Sequence, residues 1–187
     1  MQTRYPGCAD PVLDAQASFR AVLEAMSRPG TVQQISAPPE PPPGLSPAAA
    51  AVLLTLVDPT TPLRRGAGAE ASAWLRFHCG CPLVRDCAAF VLDPAASLLE
   101  LEAGTDEEPD RSATLILDVT GLVPGSGWRL TGPGIRDAHR LGVSGAPAGF
   151  VADWALNRAR FPRGVDVILC AGTRIAALPR SVSIEDA

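Results

Sequence analysis

Lysine is absent from this chain: all sixteen of its basic residues are arginine. No Schiff base can therefore form on a lysine amine, which excludes a covalently held pyridoxal phosphate and every lysine nucleophile. The lysine of a nucleotide-binding glycine-rich loop is missing for the same reason. Histidine is scarce, with only His78 and His139, and no nucleophile elbow is present, so a serine–histidine triad has little to draw on. Positive charge is not in surplus either. The formal net charge of −4 opposes nucleic-acid binding, which needs a basic field to neutralise phosphates.

Long apolar runs are also lacking. The longest, residues 47–57, is too short to span a bilayer. Residues 1–8 hold no apolar stretch of the kind a signal peptide needs, and the chain is expected to be cytoplasmic. Cysteine is sparse and odd in number, with Cys8, Cys79, Cys81, Cys87 and Cys170, so a disulfide framework is not expected. Aromatics make up only 5%, which leaves core packing to aliphatic side chains and alanine.

What is present suits one folded domain over residues 1–187, with 47% hydrophobic and 19% charged residues. Asp10 and Pro11 supply an N-cap and a proline at the first helical position. A stripe of Val12, Ala15, Phe19, Val22, Leu23 and Met26 then predicts a helix that stops at Arg28, before Pro29 and Gly30. Residues 31–36 read as a short strand. Six prolines in residues 37–47 mark a semi-rigid connector. Ser46 and Pro47 start a second helix, apolar all round, which ends in the turn at residues 58–62. A helix over 69–77 is broken at His78; residues 88–92 read as a strand and 94–103 as a short helix. Residues 113–119 and 165–170 are aliphatic runs, the look of strands covered on both faces. Residues 128–131 and 174–178 are further strands, residues 121–127 a flexible hairpin-type connection, and Phe150, Val151, Trp154 and Ala155 line a helix ending at Pro162. Helices interleaved with such strands predict a layered α/β domain, with helices on both sides of a mixed sheet.

Each candidate site keeps two readings. His78, Cys79 and Cys81 are the only cluster of soft ligands, but the Cys-x-Cys spacing lacks the second pair of a structural zinc site, and no metal is expected. His78 is either a cap on the last carbonyls of its helix or a functional imidazole. Gly132-Pro133-Gly134-Ile135 lacks the spacing of a dinucleotide-binding loop and reads as a tight turn. Arg28 and Arg163 each follow a helix and precede a strand, either fixing the turn through a salt bridge or binding an anion or a partner. Asp166 lies inside an apolar strand, where an unpaired carboxylate is costly, so Arg163 or Arg180 is expected to pair with it. Seven acids and no base in residues 93–110 predict a solvated face.

Several words of this sequence, in one order over residues 10–185, resemble the PhnH family, a subunit of the bacterial carbon–phosphorus lyase system for phosphonate breakdown. They are Phe19-Arg20 with Ala25-Met26-Ser27-Arg28-Pro29-Gly30; Val52-Leu53-Leu54-Thr55-Leu56 with Asp58; Leu75-Arg76-Phe77-His78 with Pro82; Leu130-Thr131-Gly132-Pro133-Gly134-Ile135; Phe161-Pro162-Arg163-Gly164-Val165-Asp166; and Leu178-Pro179-Arg180. The cysteines after His78 and the density of prolines in the connector depart from the family. The resemblance implies a three-layer α/β/α fold with a mixed sheet, like the large domain of pyridoxal-phosphate transferases but without pyridoxal phosphate. It implies a homodimer and an association with PhnG, PhnI, PhnJ and PhnL. It also implies a supporting part in the step where a phosphonate displaces adenine from ATP, giving a ribose 1-phosphonate 5-triphosphate. In the family that displacement is attributed chiefly to PhnI, and carbon–phosphorus cleavage to PhnJ, so no catalytic residue and no cofactor are expected here. Two expectations remain: a subunit that works by docking others, or one with its own small-anion site formed by Arg28, His78 and Arg163.

Overall fold

The computed structural model describes residues 5–38, 40–66 and 68–186. Residues 1–4, Pro39 of the connector, Ala67 and Ala187 lie outside the described residues. Helix α1 (Pro11–Ser27) and helix α2 (Pro47–Leu56) begin at the expected caps. Asp10 Oδ1 accepts from the amides of Val12 and Leu13, each at 3.1 Å, and Ser46 Oγ accepts from Ala49 N at 3.0 Å. Helix α3 (Ala69–Cys79) runs through His78 instead of breaking there. Gly80, at φ +66°, ends it in the left-handed conformation a C-cap requires. Helix α4 spans Phe150–Arg158.

Strands β1 (Gln33–Gln34), β2 (Leu63–Arg65), β3 (Leu83–Val84), β4 (Phe90–Leu92), β5 (Thr114–Asp118), β8 (Asp166–Ala171) and β9 (Arg174–Leu178) form a mixed seven-stranded sheet. Its order is β1-β9-β8-β5-β4-β2-β3, parallel from β8 to β3 and antiparallel at β8–β9 and β9–β1. Strands β6 (Gly121–Thr131), β7 (His139–Ser144) and β10 (Ser183–Glu185) make a separate antiparallel sheet in the order β10-β6-β7.

Alternation along the central strands sends their side chains to two cores. Ile116, Ile168, Cys170, Ile175 and Ala177 face α1, α2 and α3. Leu115, Leu117, Val167, Leu169, Ala176 and Leu178 face α4 and the small sheet, through Trp154, Leu122, Leu130 and Leu141. The fold is thus α/β with a mixed sheet covered on both sides. Helices alone were expected on the second face; one helix and a three-stranded sheet cover it.

Other local expectations need correction. The strand over 31–36 shrinks to two residues, because its partner β9 begins at Arg174 and only one further bond, Ile35 N to Thr173 O at 3.0 Å, is available. The helix over 94–103 reduces to a 3₁₀ turn at Leu98–Glu100. Asp93 Oδ1 accepts from Ala95 N and Ser97 Oγ from Leu99 N, giving the backbone local alternatives to a helical ladder. The connection at 121–127 is the first half of β6, bulged between Pro124 and Trp128 against β7. Half of the predicted apolar stripe of α1 is turned outward: Val12, Phe19 and Leu23 are exposed, Ala15 and Met26 are partly buried, and Val22 is buried with Ser18 and Ala25. Small Ser18 and Ala25 let the helix backbone lie close, and Ser18 Oγ donates to Ser36 O at 2.9 Å.

Candidate functional site

Asp166, the first residue of β8, is held by Arg180. Its Oδ1 accepts from Arg180 N at 2.7 Å and from Nε at 3.1 Å, and its Oδ2 from Nη2 at 2.5 Å. Arg180 Nη1 then donates to Pro109 O at 2.7 Å. Both side chains are only 16% exposed, so the pair neutralises a carboxylate that would otherwise lie unpaired at the start of an interior strand. Arg163 takes another acid: its Nε lies 3.1 Å from Asp106 Oδ1 on the surface. Beneath this turn, buried Asn157 bonds Val165 in both directions, Nδ2 to O at 2.9 Å and N to Oδ1 at 2.8 Å.

The two arginine turns meet at Gly132-Pro133-Gly134. Gly134, at φ +80°, lies so close to the Ser27 carbonyl and the Pro29 ring that a Cβ would overlap the former. Pro133 lines a cavity of about 330 Å³ with Arg158, Phe161 and Ser181. Gly132 packs against Ser181 and Val182. His139 Nδ1 donates to Pro29 O at 2.7 Å and so fixes the first turn to β7. Arg28 itself points outward and pairs with Glu24 at 2.9 Å.

His78 is placed elsewhere. Its ring contacts Trp74 and Phe77, at centroid distances of 4.7 and 5.0 Å, and lies against Gly7. It borders a cavity of about 340 Å³ with Cys8, Pro11, Ala15 and Leu54, and its buried Nε2 has no hydrogen-bond partner among the described residues. Gly80 N bonds Arg76 O at 3.1 Å at this helix end, and no hydrogen bond joins the His78 ring to a helix carbonyl among the described residues. With Pro11 and Ala15 beside His78 and Arg28 just past Ser27, the imidazole and this guanidinium sit towards opposite ends of α1. The separation along the axis is about 20 Å at 1.5 Å per residue. The structure therefore brings together Asp166 and Arg180 and leaves Arg28, His78 and Arg163 with separate neighbours. Cys79 and Cys81 are buried; burial pushes the Cys79 thiol up to about 12 and raises that of Cys81. Among the described residues no group of three or more His, Cys, Asp or Glu is arranged to hold a metal ion. No described helix is long and apolar enough to cross a membrane.

One site was not anticipated. The chain leaves β2 through α3 towards β3 on one side and leaves β4 towards β5 on the other. Diverging exits open a crevice at the C-terminal ends of the parallel strands, where open α/β sheets place ligands. It measures about 310 Å³ and is lined by Gly44, Arg65, Leu92, Asp93, Ile116 and Asp118. Asp118 accepts from Ser46 Oγ at 2.5 Å and from Ser46 N at 3.3 Å. Burial nonetheless raises its pKa, against the opposing pull of these two bonds. Arg65 reaches Gly68 O at 2.7 Å and Gly44 O at 3.2 Å, closing the opposite wall. The available signal was an acid ending an otherwise aliphatic strand, the same signal that singled out Asp166.

Comparison with known proteins agrees with the motifs that converge in this structure. A family model described as bacterial phosphonate metabolism protein (PhnH) matches residues 6–185. A protein of Rhizobium meliloti (strain 1021), named alpha-D-ribose 1-methylphosphonate 5-triphosphate synthase subunit PhnH, is 36% identical over 191 residues, covering 97% of this chain and 96% of its own. A Stutzerimonas stutzeri protein named as a C-P lyase subunit, HtxG, is 36% identical over 171 residues, covering 90% of this chain and 85% of its own. Since the match runs through both arginine turns and the Gly-Pro-Gly turn between them, this chain belongs to the PhnH family of bacterial phosphonate metabolism proteins.

Proposed function

We propose that this chain is a non-catalytic subunit of a carbon–phosphorus lyase assembly, supporting formation of a ribose 1-phosphonate 5-triphosphate from ATP and a phosphonate. One observation carries the reading: near-complete, end-to-end similarity to a protein named as a subunit of that synthase. The chemistry of the chain supports it. The most buried ion pair among the described residues, Asp166 with Arg180, is turned inward and consumed in holding β8, β9 and the Pro109 loop together. Pyridoxal phosphate has no lysine to anchor it. In this reading the chain works in the cytoplasm, forms a homodimer when alone, and joins PhnG, PhnI and PhnJ when they are present. Co-expression with those subunits, followed by size-exclusion chromatography, tests the proposal. Elution in one stoichiometric peak is expected; elution of this chain apart from all of them would refute it.

A further inference from the structure

We infer that the surface where the arginine turns converge is a docking site for another protein subunit, one that presents carboxylates around a single protruding apolar side chain. The inference rests on the subunit reading above and names the face and the chemistry that it would use. The cavity beside Pro133 is the centre of this surface. Its wall includes Phe161, an aromatic 62% exposed. An exposed aromatic over a concave wall is the composition of an interface anchor. At about 330 Å³ the cavity lies at the lower end of the range used by small-molecule ligands, about 300–1,000 Å³, and suits one inserted side chain.

Charge identifies the occupant. Residues 154–165 carry three arginines and no acid, within a chain of net charge −4; Arg158 lines the cavity, while Arg160 donates to Leu99 O at 3.2 Å. Arg158 and Arg136 are exposed and have no ion-pair partner among the described residues, while Arg28 and Arg163 hold only the exposed acids Glu24 and Asp106. The nearby Asp137 adds one negative charge to this face. Guanidinium groups so placed take carboxylates in a planar two-pronged geometry. The frame is rigid: Gly134 against Ser27, His139 on Pro29, Asn157 on Val165 and Arg180 on Asp166 fix the turns from below. Little ordering is then lost when a partner binds. The exposed stripe of α1 is apolar too, but no comparable run of arginines accompanies it.

The test co-expresses the wild type and the variants Arg158→Glu, Phe161→Ala and Phe19→Ala with PhnG, PhnI and PhnJ. It measures the fraction that co-elutes, with a thermal melt of each purified variant as a check on folding. Arg158→Glu and Phe161→Ala are expected to weaken association at least tenfold while melting as the wild type does, and Phe19→Ala to assemble normally. Wild-type association should fall between low and high salt, and less steeply in Arg158→Glu. Wild type that never co-elutes overturns the subunit reading and this inference with it. Wild type that assembles while Arg158→Glu and Phe161→Ala assemble equally well overturns the inference alone. Loss of assembly in Phe19→Ala but not in Arg158→Glu moves docking to α1 and also overturns it. Tight binding of inorganic phosphate by the isolated chain, abolished in Arg158→Glu with assembly intact, would assign the surface to a small anion instead.

Discussion

Asp118 and Asp166 stand at opposite ends of one parallel strand pair: Asp166 opens β8 beside Thr114, and Asp118 closes β5 beside Cys170. The first carboxylate is met by a guanidinium and the second, among the described residues, by the hydroxyl and amide of Ser46. The two acids share a sheet but not an electrostatic fate, and their substitution should differ in sign.

Arg180→Ala leaves Asp166 charged and largely enclosed without its partner. A loss of about 3 kcal/mol is expected, at the lower end of the range for breaking a buried pair because some exposure remains. Arg180→Lys should recover little, since one ammonium cannot reach both carboxylate oxygens and Pro109 O at once. Urea denaturation of the single variants and of Asp166→Ala/Arg180→Ala checks this. The double variant should lose less than the sum of the two.

Asp118→Asn should stabilise the protein at neutral pH. Burial raises the pKa of Asp118 in the folded state above the unfolded value of about 3.9. The folded chain therefore binds more protons in that interval, and this contribution is complete below the unfolded value and lost as pH rises through the folded one. Asparagine keeps one oxygen for Ser46 Oγ, gives up only the longer bond from Ser46 N at 3.3 Å, and carries no charge. The difference in Tm between variant and wild type should be small at pH 4 and grow towards pH 7; a difference that shrinks with rising pH would contradict the assignment.

Gly134→Ala and Gly172→Ala both place an alanine at positive φ, +80° and +59°. Gly172 has open space around it, whereas Gly134 faces the Ser27 carbonyl. The second should cost about 1 kcal/mol from backbone conformation alone, and the first at least about 2 kcal/mol more from overlap. Comparing their denaturation midpoints isolates the contact that joins the first arginine turn to the small sheet.

Thiol alkylation should be selective. Cys87 is exposed, while Cys79, Cys81 and Cys170 are buried, with burial raising each of the three thiols. Thiolate is the reactive form, so iodoacetamide on the folded protein should modify Cys87 first and Cys8 more slowly. The three buried cysteines should react only after denaturant is added, as read by mass spectrometry.

Much of the fold could be read from local chemistry. Helices α1 and α2 declare themselves through Asp10-Pro11 and Ser46-Pro47, where a capping oxygen and a fixed φ act together. Strands β5, β8 and β9 are legible because their aliphatic runs match burial on two faces. Strands β2 and β3 are too short to show a period, and β6 hides behind its glycines, whose place in a strand depends on β7 alone. The pairing of Asp166 was predictable, since a carboxylate in an apolar strand is costly without donors; that Asp118 finds them in Ser46 and not in a cation was not. The meeting of residue 27 with 134, and of 133 with 161, depends on strand order and loop path, which no local pattern encodes. The crevice at Asp118 likewise exists only because β2 and β4, neighbours in the sheet, send their chains in opposite directions.

In the proposed function this polypeptide contributes by assembly and performs no reaction alone. Release of adenine from ATP in the presence of methylphosphonate measures that claim directly, run with the isolated chain, with the other subunits, and with both together. No release by the isolated chain, and full activity only in the complete mixture, is the predicted result. Adenine released by the isolated chain, or undiminished activity in the mixture lacking it, would contradict the account.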